Sequence, residues 1–297
     1  MLIVGPCSIH NQESTIEYAR RLKALSDEVD DVFLIVMRTY FEKPRTSFGW
    51  KGLLYDPFID GSDDMQEGIL LSRRILQEVS SLKLPTATEF LEPLASFYLS
   101  DFISWGSIGA RTCQSPIHRQ LASSLPLPIG FKNRNDGNLE VAIQAILSAK
   151  QQHHFLGIDR DGQIAQIEGK GNPLSHLVLR GATHKPNCDA ASIEEAEEAL
   201  RKADLPEKLI IDCSHDNCQK NYRQQATVFR HLIDFATRQN SIRGIMLESF
   251  IHAGSQGSLI AKELGASLTD PCLDWETTRE LILQGASILR QKVISCV

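Results

Sequence analysis

Short apolar runs alternate with amphipathic stretches along the whole chain. Leu2-Ile3-Val4 reads as a strand that Gly5-Pro6 ends in a turn. From Asn11 onward Ile16, Ala19, Leu22 and Leu25 recur at three-residue spacing, which predicts a helix. The apolar, largely β-branched run Val32 to Val36 predicts a second strand, and further strands are expected at Thr86 to Leu91, Ile103 to Ile108, Ile129 to Lys132, His176 to Leu179, Leu209 to Cys213 and Gly244 to Glu248. Helical periodicity marks Asp63 to Leu82, Leu94 to Asp101, Ser115 to Ser123, Leu139 to Lys150, Ile193 to Ala203, Tyr222 to Arg238 and Trp275 to Lys292.

Two stretches break the alternation. His153 to Ile158 and Gln163 to Glu168 flank Asp161-Gly162, a hairpin signal, and predict a β-ribbon inserted before the sixth strand. Gly254 to Asp270 is a long loop with little periodicity, a type that is usually functional or mobile. Eight strands alternating with helices over 297 residues fit a closed (β/α)8 TIM barrel in an α/β chain better than an open doubly wound sheet. No Gly-rich dinucleotide fingerprint follows the first strand, and no linker or low-complexity segment divides the chain, so residues 1–297 are expected to form one catalytic barrel domain.

Composition narrows the function classes. A hydrophobic fraction of 42% with 23% charged residues is that of a globular protein. No run approaches the roughly 20 apolar residues of a membrane span, and the N-terminus lacks the basic start and apolar core of a signal peptide, which predicts a cytoplasmic protein with no membrane partner. The net charge of −6 disfavours nucleic acid as a partner. Seven cysteines without a C-x-x-C pair argue against a disulfide framework and against a closed structural zinc site.

The chemistry is expected where strands run into the following loops, the face that carries the active site of such barrels. The stretch M-R-T-Y-F-E-K-P-R-T after the second strand concentrates Arg38, Lys43 and Arg45, with Pro44 stiffening the loop and Thr46 adding a hydroxyl donor. At successive strand ends stand Cys7, Arg38 with Lys43, Glu89, Arg111, Lys132, Arg180, His215 and Glu248, all ionisable where turn formers are the usual occupants. Arg38, Lys43, Arg45, Arg111, Lys132 and Arg180 exceed the needs of one carboxylate and suit small, multiply anionic substrates such as two phosphorylated compounds. Cys7, His215, Glu248 and Asp270 could supply S, N and O donors to a divalent ion of intermediate softness: Mn²⁺, Fe²⁺, Co²⁺ or Zn²⁺. Residue types alone equally allow Cys7 as a small packing residue and His215 as a hydrogen-bonded core histidine.

Taken in order, G-P-C-S-I-H at Gly5 to His10, M-R-T-Y-F-E-K-P-R-T at Met37 to Thr46, G-A-R-T at Gly109 to Thr112, G-F-K-N at Gly130 to Asn133, L-R-G at Leu179 to Gly181, I-D-C-S-H at Ile211 to His215 and Glu248-Ser249 resemble the type I 3-deoxy-D-arabino-heptulosonate 7-phosphate (DAHP) synthases over nearly the whole chain. The resemblance implies condensation of phosphoenolpyruvate with erythrose 4-phosphate, the first step of the shikimate pathway, in a homo-oligomer. It implies that Cys7, His215, Glu248 and Asp270 are metal ligands. Arg111 and Lys132 would hold the phosphate of phosphoenolpyruvate, Arg38, Lys43 and Arg180 would surround its carboxylate and the reacting carbonyl, and Arg45 and Thr46 would hold the erythrose 4-phosphate phosphate. Lys43, Glu89 and His215 are the expected catalytic groups. The related octulosonate 8-phosphate synthases carry K-A-N-R-S where this chain reads K-P-R-T, which favours the four-carbon aldehyde. A Schiff-base aldolase using Lys43 or Lys132, and a paralogue that only binds phosphorylated metabolites, are the rival readings.

Members of that family carry an N-terminal segment ahead of the first strand, which here begins at Leu2; a late start codon or a short form would account for this. Ser96-Phe97 stands where the family has a Pro-Gln pair at its effector site, and Pro126 and Gly157 stand where serine is frequent, so weak or absent feedback inhibition is expected. Arg134 occupies a position where the family carries a small residue.

Overall fold

The computed structural model describes the chain except residues 46–48, 160, 184, 257–262, 296 and 297 and the side chains of 293–295. Eight parallel strands close into a barrel: β1 (Leu2–Gly5), β2 (Ile35–Arg38), β3 (Thr86–Glu89), β4 (Trp105–Ile108), β5 (Ile129–Lys132), β8 (His176–Leu179), β9 (Leu209–Asp212) and β10 (Ile242–Glu248). The two remaining strands, β6 (His153–Ile158) and β7 (Ile164–Gly169), form the expected antiparallel ribbon outside the barrel, in register from His153↔Gly169 to Ile158↔Ile164. Helices follow the strands, from α1 (Gln12–Glu28) and α2 (Met65–Ser81) through α3 (Pro93–Leu99), α4 (Pro116–Ser124), α5 (Glu140–Ala149), α6 (Ala190–Lys202) and α7 (Gln224–Ala236) to α8 (Trp275–Ser295). Among the described residues no helix is long and apolar enough to cross a membrane.

The caps follow from side-chain chemistry. Asn11, Asp64 and Asp189 each accept a hydrogen bond from a backbone N–H in the first turn of α1, α2 and α6.

The period-2 alternation of the strands sorts the side chains into layers. Ile3, Val36, Ala87, Trp105, Val178, Ile210 and Met246 form a buried cluster separate from the larger core under the helices, and their strands are hydrogen-bonded neighbours around the barrel. They plug its interior. Two residues further along the same strands come Arg38, Glu89, Asp212 and Glu248, which therefore lie on the inner face one layer nearer the C-terminal mouth, and Arg180 follows directly on the end of β8 at the same level. Lys132 stands in the same relation to Gly130, where an ideal Cβ would come within 2.5 Å of both Trp105 and Val178. Glycine there leaves room for the indole, whose Nε1 donates to His176 Nε2 at 3.1 Å.

The second strand is displaced from its expected place. It runs from Ile35 to Arg38, because Val32 and Phe33 donate backbone hydrogen bonds to Val29 O in the turn closing α1, and Leu34 is 60% exposed. An apolar run does not distinguish turn residues packed on the core from strand residues. As a result Arg38 belongs to the strand and does not lie beyond it. The third strand ends at Glu89 and the ninth at Asp212, each short of the expected end.

Candidate active site

The inner ionisable layer opens into a cavity of about 460 Å³ at the C-terminal mouth. Its walls carry seven cations (Arg38, Lys43, Arg45, Arg111, Lys132, Arg180 and Lys220) and four carboxylates (Glu89, Asp216, Glu248 and Asp270), together with His215. Every candidate site residue named from the sequence is on this wall except two. Cys7 is fully buried and contributes no wall, and Thr46 lies outside the described residues.

Arg38 is fully buried, donates from Nη2 to Glu248 Oε1 at 3.0 Å and stacks over the Tyr40 ring at 4.0 Å. Lys132 lies 3.4 Å from Glu89 Oε2 and 3.6 Å from Asp212 Oδ2, and Asp212 Oδ2 in turn is 2.9 Å from His215 Nδ1. A line of alternating charges thus crosses the mouth from Glu89 through Lys132 to Asp212, with the His215 imidazole at its end. Burial opposes the charge of Glu89, but Lys132, Lys43 and His215 outweigh it and hold its pKa below the ordinary carboxylate value. Asp212 is likewise penalised by burial, and His215, Lys132 and Arg38 keep it well below that value. Both are carboxylates at neutral pH. Gly109 permits the Glu89 position, since an ideal Cβ there would lie 2.3 Å from Glu89 Oε1.

Lys43 donates to Cys7 O and to Cys7 Sγ, both at 2.9 Å, and Cys7 Sγ lies 3.6 Å from Asp270 Oδ2. Burial disfavours the Lys43 charge, yet Cys7, Glu248 and Asp270 raise its pKa above the ordinary lysine value. Burial pushes the Cys7 thiol up to about 12 and Glu248 adds to this, with Lys43 pulling the other way.

One donor atom each from Cys7, Glu248 and Asp270 falls within 4.8 Å of the others. These residues fit a divalent cation: two hard oxygens and one soft sulfur converge, and the ammonium drawn against that sulfur shows how strongly the group attracts positive charge. The fourth candidate ligand, His215, stands outside the group. Its backbone is left-handed at φ +55°, and its Nδ1 faces Asp212 and the Ser214 hydroxyl, the latter at 2.8 Å, so Nε2 is the nitrogen without a hydrogen bond among the described residues. A carboxylate behind one imidazole nitrogen is the usual support for a ligand at the other.

At the rim, Arg45 donates from Nε to Trp50 O at 3.0 Å, and the Trp50 indole donates to Asp56 O at 2.8 Å. Arg45 and Arg111 are exposed and make no ion pair among the described residues. Their charges are available to an anion.

Sequence reasoning missed Asp212, Asp216 and Lys220. Asp212 was within reach, being inside I-D-C-S-H and three residues before His215; ending the strand one residue too late hid it. Asp216 and Lys220 lie on the β9–α7 loop, where nothing in the local pattern separates a cavity wall from an ordinary turn.

A closed parallel barrel with an ionisable cavity at its C-terminal mouth defines the chain as a (β/α)8-barrel enzyme. Residues 1–283 match the DAHP synthetase I family, and the chain belongs to that family. Among its relatives, the Tyr-sensitive phospho-2-dehydro-3-deoxyheptonate aldolase of Escherichia coli (strain K12) is 46% identical over 286 residues, 95% of this chain and 80% of that protein. The Trp-sensitive enzyme of the same strain is 46% identical over 290 residues, 97% of this chain and 83% of that protein. The structure of the phospho-2-dehydro-3-deoxyheptonate aldolase from Francisella tularensis SCHU S4 superposes with a TM-score of 0.95 at 41% identity, covering 98% of this chain and 86% of that one.

Proposed function

We propose that Cys7, His215, Glu248 and Asp270 hold a divalent cation and that the cationic wall holds two phosphorylated substrates at once. The reaction is that of the family: phosphoenolpyruvate condenses with erythrose 4-phosphate to give DAHP and inorganic phosphate, the first step of the shikimate pathway. The observation that carries the residue assignment is the convergence of seven cations, Glu248 and Asp270 on one cavity, with the buried Cys7 Sγ within 4.8 Å of both carboxylates.

Arg111 and Lys132 hold the phosphate of phosphoenolpyruvate, and Arg38, Lys43 and Arg180 surround its carboxylate and the reacting carbonyl. Arg45 and Thr46 hold the phosphate of erythrose 4-phosphate. When bound, the cation supplies Lewis-acid polarisation of the aldehyde carbonyl, and the mixed donor set suits Mn²⁺, Fe²⁺, Co²⁺ or Zn²⁺. C3 of phosphoenolpyruvate forms the new bond to the aldehyde carbon, and Lys43, protonated beside Cys7, donates a proton to the nascent alkoxide. Glu89, held as a carboxylate by Lys132, accepts a proton from the water that adds to C2, after which the C–O bond to phosphate breaks. Holding both substrates lowers the entropic barrier of a two-substrate step. Leu156 and Ile164, 77% and 83% exposed on the ribbon, support a homo-oligomer.

The test follows the loss of enolpyruvyl absorbance with phosphoenolpyruvate, erythrose 4-phosphate and Mn²⁺. Turnover abolished by a chelator, and absent with arabinose 5-phosphate, is the expected result. Turnover that survives the chelator would remove the metal from the assignment, and preference for the five-carbon aldehyde would overturn the second substrate.

A further inference from the structure

Arg180 is the only cavity-wall arginine whose carboxylate partner also belongs to the β9–α7 loop that carries His215, among the described residues. Its Nη1 donates to Asp216 Oδ2, and the two side chains are 11% and 10% exposed. The backbones beneath them are locked together. Arg180 N–H donates to Asn133 Oδ1 at 2.8 Å, Gly181 N–H to Asn187 Oδ1 at 2.7 Å, Asn187 N–H to Asn217 Oδ1 at 2.7 Å, and Asn217 Nδ2 to Asp212 O at 2.8 Å. Gly181 adopts φ +80°, and an ideal Cβ there would come within 2.6 Å of the Asp216 carbonyl carbon. Three asparagines and a close glycine thus fix where the pair sits, so it is built into the fold.

A guanidinium presents several N–H donors in one plane. With Nη1 committed to Asp216, the orientation of the remaining edge toward the cavity is set, while the Asp216 charge cancels that of the arginine. We infer that Asp216 is a positioning residue for phosphoenolpyruvate: it aims the Arg180 fork at the anion and, by neutralising it, keeps the site from gripping anions too tightly to release them. The two effects act in opposite directions on affinity, which makes them separable. The inference rests on the reading of Arg180 as a phosphoenolpyruvate contact.

Asp216→Asn keeps a hydrogen-bond acceptor and removes the charge; Asp216→Ala removes both. At saturating Mn²⁺, Asp216→Asn is expected to lower the KM for phosphoenolpyruvate by about three- to tenfold and to strengthen inhibition by inorganic phosphate, whereas Asp216→Ala raises that KM by a similar factor. The KM for erythrose 4-phosphate should stay within about twofold in both. In an Arg180→Ala background neither change should move the phosphoenolpyruvate KM further. Equal effects of the two substitutions, or none, while Arg180→Ala alone raises the KM, would overturn the role of Asp216 and leave that of Arg180 standing. If Arg180→Ala itself leaves the KM unchanged, both readings fail. Should Asp216→Ala not fold, Asp216→Asn with a raised or unchanged KM is sufficient to refute the inference.

Discussion

Arg45 and Glu42, three residues apart on the loop after β2, illustrate how differently neighbouring charges are used. Arg45 is exposed at the cavity rim, where its Nε donates to the Trp50 carbonyl. Its replacement by alanine should raise the KM for erythrose 4-phosphate by about ten- to a hundredfold, the worth of a charge-assisted contact to phosphate, and leave the phosphoenolpyruvate KM within about twofold. Steady-state kinetics with each substrate varied would decide it. Glu42 is buried, accepts from the backbone N–H of Glu92 at 3.0 Å and of Leu91 at 3.3 Å, and so ties the basic loop to the loop that follows Glu89. Burial pushes its pKa up to about 8, with those two N–H groups pulling back. In the unfolded chain it titrates near the ordinary 4.5, so between pH 4.5 and about 8 the folded state keeps a proton that the unfolded state has released. Stability from this group is full below that window and is lost as pH rises through it. Glu42→Gln should therefore flatten the decline in Tm between about pH 5 and about pH 8, and an unchanged slope would contradict the assignment. The positions of Arg38, Glu89, Lys132 and Glu248 at the mouth were legible from the sequence because each ends a strand. Their partners were not legible, because pairs such as Lys132 with Asp212 form across strands that are distant in sequence.

Elements were readable to the extent that their burial has a period. All eight barrel strands and the ribbon were foreseen, since their apolar runs are bounded by glycine, proline or polar turns. Boundaries failed where packing continues past the hydrogen bonding, as at Val32 and Phe33, which cover the core from a turn. Glycines inside strands carry a packing meaning that pattern alone does not disclose. In β4, Gly106 lies between the inward Trp105 and Ser107 and faces away from the cavity; an ideal Cβ there would stand 2.4 Å from Phe90 Cε2 and 2.8 Å from Ile129 Cδ1. Gly106→Ala should cost about 1–3 kcal/mol by overpacking, seen as a lowered denaturation midpoint, with kcat of the folded fraction unchanged. A midpoint equal to that of the parent would show that Phe90 and Ile129 can give way.

At the scale of the whole molecule, the ribbon is the part of the chain that departs most from a plain barrel. It packs on α3 and α4, and Phe97 of α3 reaches Gly157 of β6 so closely that an ideal Cβ would lie 2.8 Å from its ring. Phe97 belongs to the pair that the sequence resemblance places at the effector site, and its ring lies against Gly157, a position where the family frequently has serine. Phe, Tyr and Trp are therefore expected to leave the rate nearly unchanged, and strong inhibition by any one of them in the absorbance assay would refute this. The barrel itself closes between its first and last strands: β1 pairs with β10, and Gly5 is in register with Glu248. Cys7 follows one of these strands, Glu248 ends the other, and Asp270 comes later still. A ribosome delivers Cys7 long before Glu248 and Asp270. Until β10 has emerged, the nascent sheet is open, with unpaired edges that invite association with other chains. During translation, then, the barrel seam closes at β10 and the Cys7, Glu248 and Asp270 donors converge only once Asp270 has followed, so a ribosome-bound chain halted before β10 holds neither.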